Sequence, residues 1–331
     1  TTTSELSEAK PPAEASSAAV LAAQDAISRA QTYGFSEFEG WLTAGGDDRC
    51  IIQDTGANKY HIKPQPIHES HIFRGSCTGN PPTSRGYTAA HKLFTEHNLS
   101  TLHGPDLSKT LATIFQNQRD RLAALLHLPP GSQVILCPSG SDAEYIPIVM
   151  AKHLHPTANI TNGITQLNEI GRGSAPASVG EYFSTHAPFL GETSLKRLTG
   201  FDNLEGTVVP ARKNDHDGSV INASALMDTF ATESIRKGQY PILHGVFGGK
   251  TGLRDAVMPG TTDESMGVVD ACQGRFSRDE MRSWMARESV VLFTGSKFYQ
   301  APPFCGAVIV PPGLAERLSG ESLSGEEGGG M

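Results

Sequence analysis

The chain has 331 residues, and at about 100–200 residues per domain that admits two domains or one large α/β domain. Apolar residues make up 38% and charged residues 19%, which excludes an intrinsically disordered chain; no stretch approaches the ~20 uninterrupted apolar residues of a membrane-spanning helix. Lys and Arg number 27 against 35 Asp and Glu, so the net charge of −8 opposes the clustered positive charge that phosphate backbones require, and neither a nucleic-acid nor a membrane partner is expected.

Residues 1–25 are rich in Ala, Ser, Thr and Glu, with Pro11-Pro12 inside. They are too acidic for a signal peptide and read as a mobile N-terminal extension, helical potential beginning near Ala18. Residues 26–105 form a helical and loop segment. Within it, 67–87 ends in G-S-C-T-G-N-P-P-T-S-R-G-Y, a composition that reads as a loop, of a length that often carries function. A helix is expected over 107–127, capped by Asp106 or Ser108, with Leu107, Leu111, Ile114 and Phe115 at helical spacing and Pro129-Pro130-Gly131 as the stop.

The apolar run 133–137 reads as a buried strand. A helix over 142–154 follows, kinked at Pro147, and then strand candidates at 207–211, 240–247, 268–272, 290–294 and 306–310. Apolar runs without clean alternation belong to a mostly parallel sheet flanked by helices on both faces, so 106–318 reads as one α/β domain. Residues 319–331 are Ser, Gly and Glu-rich, a flexible tail or an interdomain linker. Cys50, Cys77, Cys137, Cys272 and Cys305 are scattered, with no CxxC pair, and read as reduced thiols of a cytoplasmic protein or of an organelle lumen kept reducing.

Three stretches carry candidate chemistry. P-S-G-S-D-A at 138–143 lies between strand and helix, where unpaired N–H groups and the hydroxyls of Ser139 and Ser141 suit a phosphate, with Gly140 allowing close approach. The same residues also suit an ordinary N-cap turn. V-V-D-A-C-Q at 268–273 delivers Asp270 at the end of an apolar strand, where open α/β sheets bind ligands; an Asp that caps the next helix is the other reading. V-V-L-F-T-G-S-K-F at 290–298 brings Lys297 to the end of a core strand. A desolvated lysine there is suited to Schiff-base chemistry, and one that extends to solvent is not.

Taken together, with 297 − 270 = 27 residues between Asp270 and Lys297, the three resemble the pyridoxal-phosphate-dependent enzymes of fold type I, nearest the class V aminotransferase and cysteine desulfurase branch. The resemblance implies a Schiff base on Lys297, Asp270 against the pyridinium nitrogen, and Gln273 and His244 near the phenolic oxygen. Ser139, Gly140 and Ser141 would hold the phosphate with Thr294 or Ser296. Arg85 is the candidate for the carboxylate of an amino-acid substrate. The family stacks a side chain on the ring; 168–174 holds no aromatic, which leaves Glu169, the backbone or a residue from elsewhere. Aminotransfer is the implied activity; Cβ elimination or desulfuration, and a non-catalytic scaffolding subunit, are its alternatives. A homodimer is implied, and so is a C-terminal small domain; since 331 − 297 = 34 residues follow Lys297, that domain is expected to be truncated or absent.

Three other motifs fail on spacing or context. G-G-K-T at 248–251 has His244 where a P-loop needs glycine. H-E-S-H at 68–71 is one residue short of a zinc-protease helix, and His61, His68 and His71 lack its i, i+4 geometry, so no metal is expected. G-S-C-T-G at 75–79 mimics a nucleophile elbow at Cys77, but Asn80-Pro81-Pro82 follow where a helix is required.

Overall fold

Continuous apolar runs become strands here because the sheet they form is covered on both faces. The computed structural model describes residues 13–44, 46–68, 70–73, 75–165, 169–184, 186–187, 191–192, 197–213, 218–254 and 259–320. In chain order its elements are α1 (Ala13–Thr32), α2 (Glu37–Ala44), α3 (Ser84–Glu96), α4 (Gly104–Leu126), β1 (Gln133–Cys137), α5 (Gly140–Ala143), α6 (Tyr145–Leu154), β2 (Asn159–Thr165), α7 (Ser174–Ala177), β3 (His186–Ala187), β4 (Gly191–Glu192), β5 (Glu205–Val209), α8 (Ala223–Arg236), β6 (Gln239–Val246), β7 (Met266–Asp270), α9 (Arg278–Ala286), β8 (Val290–Thr294), β9 (Gly306–Val310) and α10 (Pro312–Ser319). No helix among the described residues is long and apolar enough to cross a membrane.

The chain divides into two compact units, one of residues 1–65 with 184–195 and one of 66–183 with 196–331. The first holds α1, α2 and the β3–β4 pair. Ser36 and Glu39 cap α2 reciprocally, the Ser36 N–H reaching the Glu39 carboxylate at 2.7 Å, and Ala30, Phe35 and Ile52 form its buried cluster.

The second unit is built on a seven-stranded sheet in the order β1-β9-β8-β7-β6-β2-β5. β8, β7, β6, β2 and β5 run parallel, and β9 alone is antiparallel to its neighbours β1 and β8. Alternate residues of each strand serve opposite cores. Val268, Val290, Leu292 and Val308 pack with Ile148 and Ala151 of α6 and Leu314 of α10. Val269, Val291 and Ile309 pack with Leu126 of α4 and Met281, Trp284 and Met285 of α9. The mostly parallel, doubly covered sheet is the one expected.

Several boundaries move. The helix expected over 107–127 starts at Gly104, and its N-cap is His103, without a side-chain bond; Pro105 fills the first turn and Asp106 lies inside it. The helix expected over 142–154 is two, parted at Glu144. Pro147 supplies the reason, because it has no N–H for the carbonyl of Ala143 and its ring crowds that carbonyl. The loop expected over 67–87 ends early: the Thr83 hydroxyl accepts the Gly86 N–H at 3.0 Å and starts α3, so Arg85 and Tyr87 are helical. β2 has no expected counterpart. Residues 1–12 of the proposed extension and 321–331 of the proposed tail lie outside the described residues, and the rest of the extension is the start of α1.

Candidate active site at the C-terminal end of the sheet

Register alone brings two of the three stretches together. Cys137, the last residue of β1, and Thr294, the last of β8, both pair with Gly306, the first of β9. The turns after Cys137 and Thr294 therefore leave the sheet side by side. Gly306 must be glycine for this, since a Cβ there would lie 2.8 Å from the Ser139 carbonyl. The third stretch meets them at Gly140, whose Cβ, were it present, would lie 2.8 Å from Cys272 Sγ and 3.8 Å from Thr294 Cγ2.

In the first turn Ser139 is the N-cap of α5, with extended backbone. Its hydroxyl accepts the Asp142 N–H at 3.3 Å and donates to Asp142 Oδ2 at 2.5 Å. The capping role is thus real and engages the hydroxyl. Ser141 is buried, and its hydroxyl makes no hydrogen bond among the described residues.

Asp270 ends β7 and is 5% exposed. Its Oδ1 accepts the Cys272 N–H at 2.9 Å, and its carbonyl accepts the Phe247 N–H at 2.8 Å. Burial, and next the Asp270 charge, push the Cys272 thiol up, so it is an inert neutral group. Gln273 is buried, and its Oε1 accepts the Ser76 hydroxyl at 2.6 Å, which ties the 75–83 loop to the end of β7. That loop also meets the lysine turn, because the Thr83 N–H donates to the Gln300 carbonyl at 2.9 Å.

Thr294 and Ser296 are fully buried with hydroxyls 2.8 Å apart, and the Ser296 N–H donates to Thr294 Oγ1 at 3.2 Å. Lys297 is half-buried in the turn that follows, whose carbonyl accepts the Gln300 N–H at 3.2 Å. Gln300 closes the turn at φ 46°, in the left-handed region.

His244 of β6 lies deep on the same face, with Nδ1 3.5 Å from Glu144 Oε2 and both side chains 1% exposed. Desolvation drives the imidazole down to about 4, against an opposing pull from Asp270. The same desolvation, then the Asp270 charge, raises the Glu144 carboxyl well above the carboxylate range, while Ser174 and Lys297 lower it. Glu144 carries no motif, and its only sequence signal is a carboxylate in an otherwise apolar stretch ahead of Pro147. Glu144, His244 and Asp270 are also the one group of three clustered ligand-type side chains among the described residues.

Other candidates are exposed or already engaged. Arg85 is exposed on the first turn of α3. Cys77 lies half-buried in irregular backbone with its thiol 3.4 Å from Asn80 Oδ1, not on a strand-to-helix elbow. Glu169 accepts the Thr251 N–H and hydroxyl, each at 2.7 Å, and lies 3.5 Å from Arg212 Nε. Asn168 is outside the described residues. An aromatic ring does reach this end of the sheet from beyond 168–174: a Cβ on Gly173 would lie 2.9 Å from Ser141 Oγ and 3.0 Å from the Phe183 ring.

No family model matches the chain. No curated protein matches it. Solved structures do. The glutamate decarboxylase domain of diaminobutyrate-pyruvate transaminase and L-2,4-diaminobutyrate decarboxylase from Vibrio parahaemolyticus aligns with TM-score 0.52 and 12% identity over 96% of this chain and 70% of its own. Mouse CSAD in its apo form aligns with TM-score 0.50 and 14% identity over 94% of this chain and 67% of its own. The fold is that of the type I pyridoxal-phosphate enzymes. Oryza sativa TDC with PLP and tryptamine, at TM-score 0.41 and 16% identity over 64% of this chain and 44% of its own, is too distant to carry an argument. The chain spans 44% to 70% of the lengths of these three structures.

Proposed function

We propose that this chain binds pyridoxal phosphate on Lys297 and transforms an amino acid, with aminotransfer as the first reading. The observation that carries the proposal is the meeting at Gly140, where a Cβ would lie 2.8 Å from Cys272 Sγ, next to the Asp270 strand end, and 3.8 Å from Thr294 Cγ2 at the lysine strand end. The residues present fit the group: an amine in a half-buried turn, a buried carboxylate and, between them, buried hydroxyls beside a helix start. When bound, the cofactor supplies an electron sink for the α-carbon of an amino acid.

The chain's own part follows from placement. Asp270, fixed by the Cys272 N–H, holds the proton of the ring nitrogen. Ser141, with the backbone of Gly140, binds the phosphate together with Thr294 or Ser296, while Ser139 shapes the turn through its cap. Lys297 holds the cofactor and, released, moves a proton at the α-carbon. Gln273 would serve the ring's phenolic oxygen with His244 buried behind, Arg85 would receive the substrate carboxylate, and a homodimer would complete the site.

The class V branch is supported by the D-A-C-Q and T-G-S-K sequences and their 27-residue spacing. A lyase is the second reading, because decarboxylation and Cβ elimination also begin at the α-carbon. The Vibrio domain, whose name includes both a decarboxylase and a transaminase, favours keeping it.

The test is uptake of pyridoxal phosphate. Wild type is expected to turn yellow, and borohydride should fix the cofactor to the peptide that contains Lys297; Lys297→Ala should do neither. Colourless wild-type protein, or a label on another lysine, refutes the proposal. Keto acid released from an amino-acid panel, against carbon dioxide, ammonia or sulfide, separates aminotransferase from lyase.

A further inference from the structure

Behind Asp270 the sheet carries the His244 imidazole and a second carboxylate, Glu144, that no motif announces. Glu144, His244 and Asp270 each present a ligand-type atom within 4.8 Å of the others, and they are 2%, 1% and 5% exposed. Glu144 stands between α5 and α6, His244 on β6 and Asp270 at the end of β7. Around them, Lys297 from the turn after β8 is the facing cation, Ser174 of α7 offers Glu144 a hydroxyl, and the neutral Cys272 thiol lies beside Asp270.

Two carboxylates this close and this far from water do not both ionise. Donors decide which one keeps its charge. Asp270 has the Cys272 N–H at 2.9 Å, whereas Glu144 Oε1 and His244 Nε2 have no hydrogen-bond partner among the described residues. We propose that Glu144 and His244 are positioning residues that make Asp270 the sole negative charge of this cluster, Glu144 by keeping its proton and His244 by staying neutral. Burial drives both in that direction, the carboxyl up and the imidazole down. A single charge matches a single protonated ring nitrogen. An ionised Glu144 would double the charge, and a protonated His244 would draw the Asp270 carboxylate inward. The cofactor side of this inference rests on the pyridoxal-phosphate reading; the proton on Glu144 does not.

The experiment compares wild type with Glu144→Gln in two ways. In the apoprotein, urea unfolding is followed from about pH 5 to about 9. The folded wild type holds a proton that the unfolded chain releases above the ordinary glutamate value, so wild type should lose stability relative to the variant as pH rises, by at least about tenfold in the unfolding equilibrium constant. In the holoprotein, Glu144→Gln should bind pyridoxal phosphate within about threefold of wild type near pH 7. It should also lack the alkaline change in cofactor affinity and visible band that wild type shows as Glu144 ionises. Parallel unfolding curves overturn the proposal. So does a loss of cofactor affinity beyond about tenfold at pH 7, which would mean that the ionised carboxylate is needed. Stoichiometric Zn²⁺ uptake abolished by Glu144→Gln would make the cluster a metal site instead and also overturn it. If neither protein takes up the cofactor, the functional reading fails and the unfolding comparison alone decides. Glu144→Met, neutral and of similar length, replaces the variant should Glu144→Gln not fold.

Discussion

Gly140 is where the site's construction is most exposed to a single methyl group. Gly140→Ala places a Cβ 2.8 Å from Cys272 Sγ and 3.4 Å from Cys272 Cβ, well inside van der Waals contact, at a residue that is itself buried. Neither side gives way easily, because Cys272 is 4% exposed and its N–H is held by Asp270. Overpacking of this kind costs about 1–3 kcal/mol. Cys272→Ala alone removes one buried sulfur atom and costs about 1 kcal/mol as a cavity. In the double variant the new methyl occupies the space the sulfur has left, so most of both penalties should vanish. The expected coupling energy is therefore about 1–3 kcal/mol in a urea-unfolding cycle. Pyridoxal phosphate affinity, weakened in Gly140→Ala by the displaced Asp270 strand end, should recover in parallel. Additivity within about 0.5 kcal/mol would refute the packing that joins the phosphate turn to the Asp270 strand.

Two further outcomes follow from the same geometry. Asp270→Asn keeps an acceptor for the Cys272 N–H but removes the charge, so turnover should fall roughly 10²–10³-fold, the equivalent of about 3–4 kcal/mol, while borohydride still fixes the cofactor to Lys297; unchanged kcat/KM would exclude Asp270 from the ring nitrogen. Burial holds His244 down to about 4 in the folded protein against 6.5 ordinarily, so the unfolded chain binds the extra proton between these values: the stability is complete above pH 6.5 and is lost as pH falls toward 4, by up to roughly 3 kcal/mol. Glu144 titrates in the opposite sense above its ordinary value, so the measurement is the difference between wild type and His244→Asn at each pH, and a pH-independent difference would contradict a buried neutral imidazole.

What the residues disclosed, and what they withheld, follows burial. β8 and β9 are legible because each is covered on both faces, which selects unbroken apolar runs such as V-V-L-F at 290–293. β2, N-I-T-N-G-I-T, is as buried as any of them but reads as polar. Its polar side chains find partners only across the fold: Asn162 donates to the Ser178 carbonyl at 2.8 Å, the Thr161 hydroxyl to the Glu205 carbonyl at 3.2 Å, and Thr165 accepts the Val246 N–H at 2.9 Å, while Asn162 Oδ1 has no partner among the described residues. Gly163 is needed because a Cβ there would meet the Phe230 ring at 2.5 Å. None of those partners is near in sequence, so no window over β2 contains the signal.

The candidate site divides in the same way. Local sequence determined that a turn rich in small polar residues follows β1, that an aspartate ends β7 and that a lysine follows β8, since strand ends and turn chemistry are short-range properties. Tertiary structure alone decided that these three places meet: β9 returns antiparallel and pairs its first residue with the last residues of both β1 and β8, and Cys272, beyond the end of β7, packs beside Gly140. It also decided what stands behind Asp270. Glu144 is one more acidic residue in the sequence; it becomes a buried partner of His244 because the fold lays the junction of α5 and α6 against β6. Charge and composition exclude partners from a list of residue counts, but the protonation of a carboxyl depends on what surrounds it, and that is settled only when the chain has folded.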